Sequence, residues 1–129
     1  MAVAYIDSSC VVAVAFGEPG ARRVATAARA HTRLLSSNLL EAEVRAALAR
    51  ERAPVGPELN IFNGIAWVHP NRALTGEIQR VLAHGTLRGA DLWHVACALF
   101  LDPTASELAF LTLDVPQRRV AAMLGFATP

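Results

Sequence analysis

The sequence predicts an α/β fold, a three-layer α/β/α arrangement around a central, mostly parallel sheet. Three observations carry that prediction. Short apolar runs alternate along the chain with longer stretches of helical character. Runs such as AVAYI and LAFLTL are apolar throughout rather than alternating, as in strands covered on both faces. The 129 residues, 53% of them hydrophobic, supply one core for a single domain over residues 1–129.

Each element has a local reason. Residues 2–6 read as a buried strand ending at Asp7. Ser8 and Ser9 offer N-caps for an apolar helix over about 9–16, which Gly17 stops. A second helix is expected over about 19–30, with Pro19 near its first turn. Residues 33–36 form a second strand, and Ser36, Ser37 and Asn38 offer caps for a helix running to about residue 52. Leu40, Val44, Ala47 and Leu48 define that helix's buried stripe. Pro54, Gly56 and Pro57 mark a loop. Residues 65–68 give a third strand, after which Pro70-Asn71 turns into a helix over about 72–83. The segment ADLWHVACALFL, residues 90–101, is apolar all round, as a buried helix is. Asp102-Pro103 reads as a turn. Residues 108–113 form the last long strand, ending at Asp114. A helix over about 116–124 ends at Gly125, with an edge strand after it.

Composition excludes several classes. Mean hydropathy of +0.34 excludes a disordered chain. No apolar run reaches the roughly 18 residues that span a bilayer. The first residues lack a basic region and carry Asp7 early, unlike a signal peptide. A soluble, cytoplasmic protein without a membrane partner is expected. Cys10 and Cys97 sit in apolar stretches and read as buried thiols, not a disulfide framework or metal motif. Net charge is +1, and every one of the 12 basic residues is Arg. The Arg22-Arg23 and Arg118-Arg119 pairs read as solvated faces. A Gly-rich phosphate loop and a serine nucleophile elbow are both missing from the sequence.

The chemistry lies in the acids. Asp7 and Asp114 each follow a buried strand, at the end where parallel sheets bind ligands. Either one alone reads equally as a helix cap. Asp91 lies in the first turn of the apolar helix, where capping is again the local alternative. Glu41 and Glu43 flank the buried stripe of their helix on opposite sides, and the pattern does not choose between them. Glu41 has Arg45 at i+4 as a surface partner, whereas Glu43 has Ala47 there. If Asp7, Glu43, Asp91 and Asp114 converge, their mutual repulsion requires a cation. Hard oxygen donors suit Mg²⁺ or Mn²⁺. Setting these four acids aside leaves 12 basic against 7 acidic residues, a surface of +5 suited to a nucleic-acid partner.

The motifs around these acids resemble the PIN-domain ribonucleases, in particular the VapC-like toxins of type II toxin–antitoxin systems. YIDSS is similar to the first motif, with Asp7. SSNLLEAEVRAAL is similar to the second, and the alignment selects Glu43 over Glu41. LRGADLWHVACAL is similar to the third, with Asp91 and His94. FLTLDVPQRRVAAMLGF is similar to the last, with Thr112 and Asp114. Pro116 and Gln117 depart from the pattern, where further acids are common. The resemblance implies a Mg²⁺-dependent endoribonuclease with RNA as substrate, a small cognate antitoxin and a homodimer. Ser8, Thr112 and His94 are candidates for positioning the acids, His94 more as an orienting or core residue than as a metal ligand. Trp67 and Trp93 read as core.

Two other functions compete. A PIN-like domain that binds RNA or protein without cleaving is the alternative. A receiver-like domain with acids around one Mg²⁺ requires a lysine, and the chain has none.

Overall fold

The computed structural model describes residues 2–52 and 57–129. Strand β1 (Val3–Ile6) leads into helices α1 (Ser8–Phe16) and α2 (Ala21–Arg29). Strand β2 (Arg33–Ser37) is followed by α3 (Leu39–Arg50) and a 3-10 helix (Pro57–Gly64). Strand β3 (Ile65–Val68) leads to α4 (Thr75–Leu82) and α5 (Gly89–Leu101), and β4 (Leu108–Leu111) to α6 (Val115–Leu124). The four strands form one sheet in the order β3-β2-β1-β4, every pair parallel.

Period-two alternation divides the core between the two faces of this sheet. Tyr5 of β1 and Phe110 of β4 turn toward α4, α5 and α6, packing with Val81, Val95 and Val120. Ala4, Ile6 and Leu111 turn the other way, toward Val11 of α1, Val24 of α2, and Leu40 and Val44 of α3. The expected three layers are therefore present, with three helices on each side. Burial of each large apolar side chain contributes about 1.5–3 kcal/mol. The expected stripe of α3 is the buried one: Leu40, Val44, Ala47 and Leu48.

Several boundaries differ from expectation. Asp7, not Ser8 or Ser9, caps α1, its carboxylate accepting from Cys10 N–H. Pro19 precedes α2 rather than entering it, because Gly20 is the N-cap. Ser37 Oγ, rather than Asn38, accepts from the backbone of α3, at Leu39 N–H. Helix α4 begins at Thr75, not near residue 72; Arg72 lies before it and pairs with Glu77. The loop expected at Pro54 and Gly56 lies outside the described residues, and Pro57 opens the 3-10 helix. Strand β4 stops at Leu111, where Thr112 leaves the ladder to serve the site described below. Gly17 and Gly125 end α1 and α6 with φ of 63° and 112°, a left-handed conformation that costs glycine little. Beyond Gly125, Ala127 makes a single parallel bridge to Ala109 of β4. Cys10 and Cys97 are buried free thiols. Among the described residues, no helix is long and apolar enough to cross a membrane.

The strand order places the switch in chain direction at β1. From there the chain runs outward to β2 and β3, then returns to add β4 on the other side. The crevice at the carboxyl ends of β1 and β4 is where such sheets bind ligands.

Candidate functional site

The register builds the centre of the site. Ile6 of β1 pairs with Leu111 of β4, so the next residue on each strand, Asp7 and Thr112, become neighbours. Asp7 N–H extends the ladder by donating to the Leu111 carbonyl. The Asp7 side chain is 1% exposed. Ser9 Oγ donates to its Oδ1 at 2.7 Å, and Cys10 N–H reaches the same oxygen at 3.4 Å. Thr112 Oγ1 lies 2.8 Å from its Oδ2. Burial nonetheless raises the Asp7 carboxyl above its ordinary value, outweighing these hydrogen bonds and the nearby His94.

Thr112 is a hub. Its Oγ1 also lies 2.8 Å from Gln117 Oε1 and accepts from Asp114 N–H at 3.0 Å. Gln117, fully buried, donates from Nε2 to the Asp91 carbonyl at 3.2 Å. It thereby ties the start of α6 to the first turn of α5. Asp114 caps α6 through Oδ2, accepting from Gln117 N–H at 2.9 Å. Arg118 is half-buried and donates to the Thr112 carbonyl at 2.7 Å, so it does not lie on a solvated face.

Glu43 approaches from α3. His94 Nε2 meets its Oε1 at 2.5 Å, and Ser8 Oγ donates to its Oε2 at 3.3 Å. Glu41 lies on the other flank, paired with Arg45 at 2.7 Å. Side-chain exposure separates the two acids, 22% for Glu43 and 46% for Glu41. Ser8 thus touches Glu43, whereas Ser9 takes the place beside Asp7. His94 is fully buried, and both ring nitrogens meet protein partners, Tyr5 Oη being the second at 2.7 Å.

Asp91 occupies the first turn of α5, but the N-cap is Arg88 and no side chain caps this helix. The Asp91 carboxyl is raised by partial burial first, then by the charges of Asp114 and Glu43, with His94 and Arg88 opposing. Four acids from four segments therefore share one end of the sheet. Thr86, Leu87, Arg88, Asp91, Asp114 and Pro116 line a groove of about 390 Å³ there. Trp93 is half-buried, and its Nε1 donates to Ser37 Oγ at 3.0 Å.

The donor set fits a hard divalent cation. Among the described residues the ion pairs engage Glu41, Glu77 and Glu43, and none engages Asp7, Asp91 or Asp114. Among the same residues, no three His, Cys, Asp or Glu side chains meet closely enough to hold an ion as they stand.

The family model of the PIN domain matches residues 4–123. The chain belongs to the PIN-domain family, a fold whose members are generally metal-dependent nucleases. No curated protein matches the chain. Sequence reasoning missed Tyr5, Ser9 and Gln117, which hold the acids or their partners. For Ser9 the signal was present in the motif YIDSS, but its placement depended on where α1 begins.

Proposed function

We propose that this protein is a metal-dependent endoribonuclease, the VapC-like toxin of a type II toxin–antitoxin pair. One observation carries the reading: at the switch-point end of a PIN-family sheet Asp91 and Asp114 line one groove, the charges of Asp114 and Glu43 act on Asp91, Asp7 ends β1, and Asp7, Asp91 and Asp114 have no ion-pair partner among the described residues. Asp7, Asp91, Asp114 and Glu43 would hold Mg²⁺ or Mn²⁺, which when bound lowers the pKa of water and offsets charge on the phosphate. Ser9 and Thr112 hold Asp7 in place; His94 and Ser8 hold Glu43. Arg88 lines the same groove and, on this reading, would meet the RNA backbone. The toxin reading brings a cytoplasmic setting, a homodimer and a small antitoxin. A C-terminal Arg or Lys on the antitoxin would suit the acidic cleft.

The test is cleavage of a structured RNA with Mg²⁺ or Mn²⁺ and with chelator. Wild type should cut only with metal. Glu43→Gln should lose cleavage with its fold intact, while Glu41→Gln should retain it. Cleavage indifferent to chelator, or lost in Glu41→Gln alone, would overturn the assignment. The alternative is a PIN-like domain that binds RNA or protein without cleaving. RNA binding without cleavage at saturating metal would establish that alternative.

A further inference from the structure

A chain of buried hydrogen bonds runs behind Glu43. Ser37 N–H donates to Tyr5 Oη at 3.1 Å. Tyr5 Oη lies 2.7 Å from His94 Nδ1, and His94 Nε2 lies 2.5 Å from Glu43 Oε1. The proton inventory of this chain has one solution with a neutral ring. Glu43 Oε1 is an acceptor, so Nε2 must carry the ring proton. Nδ1 is then a bare acceptor, and Tyr5 must donate to it. The alternative tautomer would set a lone pair against the Glu43 carboxylate and turn a second N–H donor on the Tyr5 oxygen, which already accepts from Ser37 N–H.

We infer that Tyr5 is a positioning residue of the carboxylate site: its hydroxyl, donating to Nδ1, reinforces the His94 tautomer that Glu43 selects and holds the ring, which in turn holds Glu43. The identity of the protonated nitrogen in a histidine is set by the bond that the other nitrogen makes. Here that bond comes from the middle of β1, a position whose side chain is packed in the core and stacked on Phe110 at 5.4 Å. A phenylalanine would fill the same space, so apolar packing does not account for the hydroxyl. Its effect on metal rests on the reading that Glu43 is a metal-binding acid. The tautomer itself does not.

Tyr5 is the only tyrosine in the chain, so biosynthetic replacement of tyrosine by 3-fluorotyrosine alters this hydroxyl alone. Nitrogen-15 NMR of the histidine ring, assigned by difference with His94→Gln, reads the tautomer directly. The wild type should show a protonated Nε2 and a bare Nδ1. Fluorination should shift the Nδ1 resonance while leaving the unfolding midpoint nearly unchanged. Tyr5→Phe should relax the tautomer preference and weaken Mn²⁺ binding by about tenfold, as loss of an outer-shell partner does. A protonated Nδ1 in wild type, or an Nδ1 resonance indifferent to fluorination, would overturn the proposal. So would a Tyr5→Phe variant of unaltered tautomer and Mn²⁺ affinity, whatever its midpoint. If Tyr5→Phe does not fold, the wild-type and fluorinated spectra still decide. Wild type that binds no Mn²⁺ but carries the expected tautomer would defeat the nuclease reading and leave the role of Tyr5 standing.

Discussion

The four acids divide into a closed pair and an open pair. Asp7 and Glu43 are held: Asp7 by Ser9, Cys10 N–H and Thr112, Glu43 by His94 and Ser8. Asp91 and Asp114 line the groove, and the Asp91 carboxylate has no side-chain or capping partner among the described residues. The closed pair fixes the geometry of the site, because buried carboxylates without such partners are costly. The open pair supplies the unneutralised charge that a cation or a cationic side chain would meet. Loss of Asp7 should therefore disturb structure and function together, whereas Glu43→Gln keeps the shape that meets His94 and Ser8 and should disturb function alone. Loss of Asp91 should disturb function alone, whereas loss of Asp114 should also remove the cap of α6.

The sharpest break of this comparison is Asp91→Asn. It should reduce metal-dependent cleavage by at least about a hundredfold, beyond the usual cost of an outer-shell change. The midpoint of the metal-free protein should stay level or rise, since a repelled charge is removed. Steady-state cleavage and thermal melts in chelator check both halves.

Thr112→Val should do the reverse. It leaves Asp7 Oδ2, Gln117 Oε1 and Asp114 N–H without their shared partner, which should destabilise the fold by about 1–3 kcal/mol. Denaturant unfolding gives the value. An unchanged midpoint would mean that Asp7 does not depend on this hydroxyl.

The pH dependence distinguishes the metal-free from the metal-bound protein. Asp7 and Asp91 are both raised from the ordinary value of 3.8, so the folded state binds protons more readily than the unfolded chain. Their contribution is fully present below 3.8 and is lost as pH rises through the raised folded values. In chelator, stability from these groups should thus decline with rising pH across that window. Saturating Mg²⁺ should restore stability at the upper end, because ion binding favours the charged form. Melting curves against pH, with and without metal, read this directly.

Arg88→Gln makes the smallest change. It should weaken RNA binding severalfold and reduce the slope of log affinity against log salt by about 0.7, the share of one phosphate contact on a single strand. Mn²⁺ binding should persist. An unchanged slope would remove Arg88 from the RNA path.

The legible parts of the molecule are those that repeat. Apolar runs and helix signals placed all four strands and six helices of the described chain, and the strand ends exposed Asp7 and Asp114 as candidates. Helix starts were less legible, because Asp7, Ser8 and Ser9 are all competent caps and only the β1–β4 register decides which is used. That one-residue difference hid the role of Ser9. The motifs pointed to Glu43 over Glu41, a choice that helix periodicity left open, since both acids flank the stripe. The structure separates them through contacts 51 and 35 residues away, His94 and Ser8. Tyr5 looked like one more apolar strand residue, and its hydroxyl gains meaning only when β2 and α5 pack beside it. Gln117 was similarly hidden, because its partners Thr112 and Asp91 are fixed by the packing of α6 against α5.

The central claim is that these carboxylates form one divalent metal site. Calorimetric titration of Mn²⁺ into the wild type and Asp91→Asn proteins tests it most directly. Saturable binding to wild type is expected, with a mass-action stabilisation of about 2.7 kcal/mol at a hundred times Kd that raises the melting midpoint, and marked weakening in the variant. Absence of binding heat and of any midpoint shift at millimolar Mn²⁺, or equal binding by the two proteins, would contradict it.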